Sequence, residues 1–159
     1  MARASRLEVS ERMPRVAAKA VIIRDRKLLV IVKRDTAGEF FLLPGGGQDM
    51  FEPLHATLRR ECLEEIAASV EPGDLLFVRD YIGRNHEFAA FDRDAHQVDL
   101  MFACSVPADY EPRIGDGPDS DQTDARWLPL DELATARIYP AALREALLQP
   151  RLAYLGDVN

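Results

Sequence analysis

The sequence predicts an α/β or α+β layered fold, on three observations. Short segments rich in β-branched and aromatic residues recur along the chain, residues 53–67 contain no glycine and carry helical spacing, and a second helical pattern returns near the C-terminus. A chain of 159 residues is the size of one ordinary domain and can bury a core without disulfides or a structural metal. No repeat or linker divides it. We therefore expect a flexible N-terminal leader over residues 1–14 and a single domain over residues 15–159.

VAAKAVII at 16–23, the polar turn RDRK and LLVIVKR at 28–34 predict a strand pair or hairpin. FFLLP at 40–44 predicts a short strand ended by Pro44, and Gly45, Gly46 and Gly47 then supply backbone that tolerates unusual dihedrals or close approach to a ligand. Residues 53–67 predict one helix, with Pro53 suited to its first turn. EPGD at 71–74 reads as a turn, and LLFVRDYIG and VDLMFACSV as strands. EPRIGDGPDSDQTD at 111–124 reads as a long acidic loop, ARWLPL as a short strand, and LDELA and AALREALLQ as helical, with Pro140 opening the last helix.

The net charge of −7 disfavours a protein that grips a nucleic-acid polymer through its overall field, because phosphate neutralisation needs a basic surface. The apolar runs are too short to span a bilayer, so a soluble protein without a membrane partner is expected. The N-terminal arginines have no apolar stretch behind them, unlike a secretory signal. Cys62 and Cys104 lie in apolar segments without metal-ligand spacing and are expected as buried thiols of a reducing cytoplasm.

Glu61, Glu64 and Glu65 fall at i, i+3 and i+4 and project from one side of the predicted helix. An acidic triplet on a helix is ordinarily a solvated face, here with Arg60 paired to Glu64. However, Leu54, Leu58, Glu61 and Glu65 follow the spacing of a core-facing stripe, so two acids stand where apolar residues are expected. A carboxylate at the margin of a buried face is costly unless paired or bound to a cation, and gathered oxygen donors suit Mg²⁺. The glycine loop and Glu52, just ahead of the helix, add backbone groups and one more acid.

The run GGQDMFEPLHATLRRECLEEIAA resembles the box of the Nudix hydrolase superfamily, MutT-like proteins included. Gly46, Glu52, Arg60, Glu61, Cys62, Glu64 and Glu65 meet its pattern. Ala67 stands where the family has glycine, Ala68 is a small occupant of the final apolar position, and Phe51 replaces a common glycine. These departures are expected to bear on the turn that ends the helix, since alanine resists positive φ. They leave every charged position filled.

The resemblance implies a mixed β-sheet sandwiched between helices and Mg²⁺-dependent hydrolysis, with Mn²⁺ a possible substitute, of the diphosphate in a nucleoside diphosphate linked to another moiety. It implies metal ligation by Glu61, Glu64, Glu65 and the Gly45 carbonyl, and phosphate binding along Gly46 and Gly47. Arg60 is expected to pair with Glu52 and orient the cluster, or else to act on phosphate. For the general base we take Asp121 from the loop acids Asp119, Asp121 and Asp124, against a merely solvated loop or a base among Glu52, Glu61 and Glu64. Tyr81, Arg84 and Asn85 are candidates to hold base and phosphate, although a strand end with a polar turn explains them equally well; His86 and His96 are candidates to line the pocket, against the commoner surface or structurally hydrogen-bonded histidine. Trp127 is expected in the core, and a homodimer is compatible with the resemblance. The competing readings are a Nudix-fold module that binds nucleotide without cleaving it, and an unrelated acidic-helix protein that binds Ca²⁺ or a basic partner.

Overall fold

The computed structural model describes residues 13–159, so all but Met13 and Pro14 of the expected leader lie outside the described residues. Nine strands lie among the described residues: β1 (Arg15–Arg24), β2 (Lys27–Asp35), β3 (Gly38–Leu42), β4 (Gly45–Gly47), β5 (Glu71–Ile82), β6 (His96–Ser105), β7 (Gln122–Pro129), β8 (Ile138–Tyr139) and β9 (Ala153–Asp157). The helices among them are α1 (Leu54–Ile66), α2 (Ala89–Asp92) and α3 (Leu143–Ala146), with 3₁₀ turns at Gly83–Asn85 and Leu130–Glu132.

The strands run in the order β8-β3-β2-β1-β6-β5-β9, with β4 added on β1 and β7 on β2. β1 lies parallel to β6 and antiparallel to β2 and β4, so the sheet is mixed as expected. Its central strands are apolar on both faces because both faces are covered. Ala18, Ala20 and Ile22 of β1 and Leu29 and Ile31 of β2 pack with Leu58, Cys62 and Ile66 of α1. Val21, Leu28, Val30 and Val32 point the other way, onto a second core with Leu143 of α3 and Leu147. Period-two alternation thus explains why VAAKAVII and LLVIVKR are apolar almost throughout.

Three local expectations need correction. EPGD is no turn but the start of β5, where the pairing with β6 shifts register between Pro72 and Leu75 and again between Leu75 and Phe77; proline has no N–H for the ladder, so the strand bulges past it. LDELA contributes only the 3₁₀ turn Leu130–Glu132. The last helix is a single turn, Leu143–Ala146, that starts three residues after Pro140. By contrast, the carboxylate helix spans Leu54–Ile66 with Pro53 as its N-cap and Ala67 as its C-cap. Cys62 is buried, Cys104 is half-buried, and both are free thiols. Among the described residues no helix is long and apolar enough to cross a membrane.

Candidate active site

β4 is a strand of three glycines, an unlikely strand by propensity, and it forms because β1 pairs with it: Ala17 opposite Gly47, Ala18 opposite Gly46, Lys19 opposite Gly45. Glycine is required on both sides of this ribbon. Gly45 adopts φ +130° and lies so close to Ala18 that a Cβ would strike that residue's carbonyl oxygen. At Gly46 a Cβ would run into the carboxyl group of Glu61. The acidic edge of α1 therefore rests directly on the glycine ribbon.

Glu65 is 2% exposed, and one carboxylate oxygen accepts the Gly45 N–H at 2.8 Å. Burial pushes its pKa up to about 7; the Asp119 and Glu61 carboxylates add to the rise, while Lys19 and the Gly45 N–H oppose it. The Lys19 ammonium donates to the Gly45 carbonyl at 2.8 Å, so one residue of the ribbon holds a cation on its C=O and a carboxylate on its N–H.

Arg60 organises the remaining acids. Its Nε and Nη2 donate to the two oxygens of Glu52 at 2.8 and 2.9 Å, its Nη1 to Glu61 at 2.6 Å, and its Nη2 also to the Gly47 carbonyl at 3.0 Å. The bidentate Arg60 contact leads the causes that hold the Glu52 carboxyl down at about 2, against the cost of desolvation and with help from the Asp49 N–H and the Thr57 hydroxyl. Arg60 thus makes the pairing with Glu52 that its position led us to expect, and its fork is engaged with protein groups. Glu64 is different: its side chain is 47% exposed and its oxygen stands 3.7 Å from Arg60.

Beside the ribbon opens a cleft of about 680 Å³. Arg15, Lys19 and Lys33 line it as cations, and Phe40, Phe88 and Tyr139 as an aromatic group whose ring centroids lie 5.2–6.4 Å apart. Arg79 and Asp99 form a buried ion pair at 2.7 Å in its wall, with further bonds from Arg79 to the Val158 carbonyl and from Gln97 to Asp99. Asp121, exposed, also lines the cleft; Asp119 does not, and instead pairs with Lys33 at 3.0 Å, while Asp124 accepts the Ala125 N–H.

Tyr81 lines the cleft, donates its hydroxyl to Asp92 at 3.0 Å, and has its pKa pushed up to about 12 by burial and by Asp92. His86 stacks on Tyr81 and binds Asp157 at 2.6 Å, and Arg84 lies 3.9 Å from Asp94 at the surface; neither lines the cleft. His96 does, while bonded to Asp80. Trp127 packs against the core with the Arg24 guanidinium 4.6 Å from its ring centre. Sequence reasoning missed Lys19, Arg15, Lys33 and the aromatic group. For Lys19 a signal was present, a lone charge inside the apolar run VAAKAVII.

Residues 13–148 match the family model described as the NUDIX domain. The chain belongs to the Nudix family. It is similar to the MutT NUDIX hydrolase of Burkholderia pseudomallei, with 32% identity over 86% of this chain and 98% of that one and a TM-score of 0.64. It shares its fold with a NUDIX hydrolase of Nitrosomonas europaea (19% identity, 86% and 87% of the two chains, TM-score 0.68). An ADP-ribose pyrophosphatase of Streptococcus suis also shares it (18%, 91% and 100%, TM-score 0.59). A search of curated proteins gives no match. The protein is thus a hydrolase of the Nudix type, with the mixed sheet and flanking helices of that fold.

Nudix hydrolases generally use divalent metals. Among the described residues no group of three or more His, Cys, Asp or Glu side chains is assembled that could hold an ion by itself. Mg²⁺ does not require one: it retains waters and is commonly bound through one or two carboxylates together with substrate phosphates. Glu61 and Glu65, converging on Gly45 and Gly46, meet that requirement, with the Gly45 carbonyl and the exposed Glu64 carboxylate beside them.

Proposed function

We propose that this Nudix hydrolase cleaves, with Mg²⁺, the diphosphate linkage of a nucleoside diphosphate joined to another moiety, a small-molecule substrate rather than a nucleic-acid polymer. The observation that carries the reading is the convergence of Glu61 and Glu65 on the glycine ribbon, next to a cleft lined by cations and aromatic rings. When bound, the metal supplies the positive charge that lets a diphosphate approach glutamates and that stabilises the departing phosphate.

The chain's own residues do the rest. Arg60 fixes Glu52 and Glu61 through three charge-assisted bonds, which keeps the cluster oriented. Arg15, Lys19 and Lys33 line the cleft and offer charge to non-bridging phosphate oxygens, and we assign the backbone of Gly46 and Gly47 to the same task. Phe40, Phe88 and Tyr139 offer apolar ring surface for a nucleobase, and Tyr81 a further wall. We assign Asp121, which lines the cleft, the task of taking a proton from the attacking water. We further propose that the protein works in the cytoplasm, with a homodimer as its assembly.

A panel of nucleoside diphosphate derivatives, assayed for phosphatase-coupled phosphate release with and without Mg²⁺, tests the function. Turnover of at least one member that vanishes on chelation is expected; tight nucleotide binding without turnover across the panel would contradict it. Asp121→Asn should then cut turnover strongly, on the order of a hundredfold, without changing the Mg²⁺ needed for half activity. A raised Mg²⁺ requirement would make Asp121 a metal ligand, and no change in either quantity would remove it from the site.

A further inference from the structure

Lys19 is the charged residue in the middle of β1, and the alternation of that strand turns it away from α1, toward the cleft that it lines. From there its ammonium reaches the Gly45 carbonyl at 2.8 Å, while Glu65, coming from the helix side, takes the N–H of the same glycine at 2.8 Å. A single residue of the ribbon therefore separates a cation from a nearly fully buried carboxylate. Such a carboxylate is expensive without a nearby positive charge. Arg60, the guanidinium on the same helix edge, is committed to Glu52, Glu61 and Gly47, whereas Lys19 reaches the residue that Glu65 also binds.

We propose that Lys19 is a built-in counter-ion of Glu65 that competes with the divalent ion for the Gly45 carbonyl and, once displaced, turns to the substrate's phosphates in the cleft. The inference rests on the metal-dependent reading above. Two properties of lysine make the exchange possible. Its charge sits at the end of a flexible four-carbon stem, unlike the planar fork of arginine, so a small rotation moves it from the ribbon into the cleft. An ammonium and a divalent ion a few ångströms apart also repel strongly at the effective dielectric of a protein surface, so both cannot hold the same carbonyl. Lys19 thereby sets the metal affinity and links metal binding to phosphate binding, because a displaced ammonium is one that phosphate can capture.

The test is calorimetric titration of the full chain and of Lys19→Met with Mn²⁺ at about pH 7.5, each in the same buffer. Lys19→Met is expected to bind Mn²⁺ about fivefold or more tightly, and Lys19→Arg, which keeps the charge, to bind it no more tightly than the parent. With Mn²⁺ saturating, imidodiphosphate, a diphosphate that resists hydrolysis, should bind Lys19→Met several-fold more weakly than the parent. Equal or weaker Mn²⁺ binding by Lys19→Met overturns the competition, and unchanged imidodiphosphate affinity overturns the hand-over. A parent chain that binds no Mn²⁺ defeats the metal reading itself, and this proposal with it. Should Lys19→Met not fold, the parent alone decides: Mg²⁺ should accelerate hydrogen exchange of the Lys19 ammonium, and unchanged exchange at saturating Mg²⁺ overturns the proposal.

Discussion

At the scale of single residues, Arg60 and Glu52 govern how the acidic cluster responds to acid. The Arg60 fork, with the Asp49 N–H and Thr57 hydroxyl, lowers the Glu52 pKa from an ordinary 4.5 to about 2. The unfolded chain binds this proton at higher pH than the folded one, so the pairing stabilises fully above about 4.5 and its contribution is lost as pH falls toward about 2. Glu52→Gln should therefore melt at a lower temperature than the parent at pH 7, and the gap should narrow between pH 4.5 and 2.5. Parallel melting curves over that range would contradict the assignment. Ala67 makes a separate case. Read from the sequence, alanine in place of the family's glycine threatened the turn; yet Ala67 takes the left-handed conformation, φ 50° and ψ 35°, and its N–H and that of Ala68 still close onto Leu63 and Cys62. Phe51, the other departure, does the same at φ 68°. The turn is thus kept under strain, and Ala67→Gly should stabilise the protein by about 1 kcal/mol, read as a higher melting temperature. An unchanged or lower value would show that the residue is not strained.

At the scale of elements, the acidic loop 111–121 is a cap for the carboxylate helix. The N–H groups of Gly115 and Gly117 and the side-chain amide of Gln122 donate to the carbonyls of Glu64 and Glu65, which have no partner inside the helix. Gly115 allows this approach, because a Cβ there would collide with the Glu64 carbonyl oxygen. Gly115→Ala should cost about 1–3 kcal/mol in denaturant unfolding and lower turnover with it, since the loop also carries Asp121 to the cleft. Normal stability in this variant would mean that the loop does not cap the helix. The loop's composition was legible in the sequence, but its function was not, for these bonds join residues about fifty positions apart. The same limit hid β4, β8 and β9. Three glycines have no strand propensity and become a strand only by pairing with β1, and Ala153–Asp157 joins the sheet through parallel pairing with distant β5. What was legible was local: the apolar alternation of β1 and β2, and the helical spacing of Leu54, Leu58, Glu61 and Glu65.

On the scale of the whole molecule, the two cores hold α1 on one face of the sheet and α3 against the other, and the site lies where β4 meets the acidic edge of α1. The net charge of −7 disfavoured a polyanion gripped by a basic surface, but it concealed a local group of cations, Arg15, Lys19 and Lys33, that strand alternation and pairing gather at the cleft. No average over the sequence reports that arrangement. Placing Glu61 and Glu65 on the core-facing stripe followed from spacing alone, whereas their contact with the glycine ribbon needed the fold. We propose above all that these buried-edge carboxylates carry a divalent ion for diphosphate hydrolysis. Steady-state turnover of the parent and of Glu65→Gln, each across a Mg²⁺ titration with the best nucleoside diphosphate substrate, tests it directly. Glu65→Gln should remain folded by circular dichroism and lose on the order of a hundredfold or more in turnover, whereas equal activity at every Mg²⁺ concentration would contradict the claim.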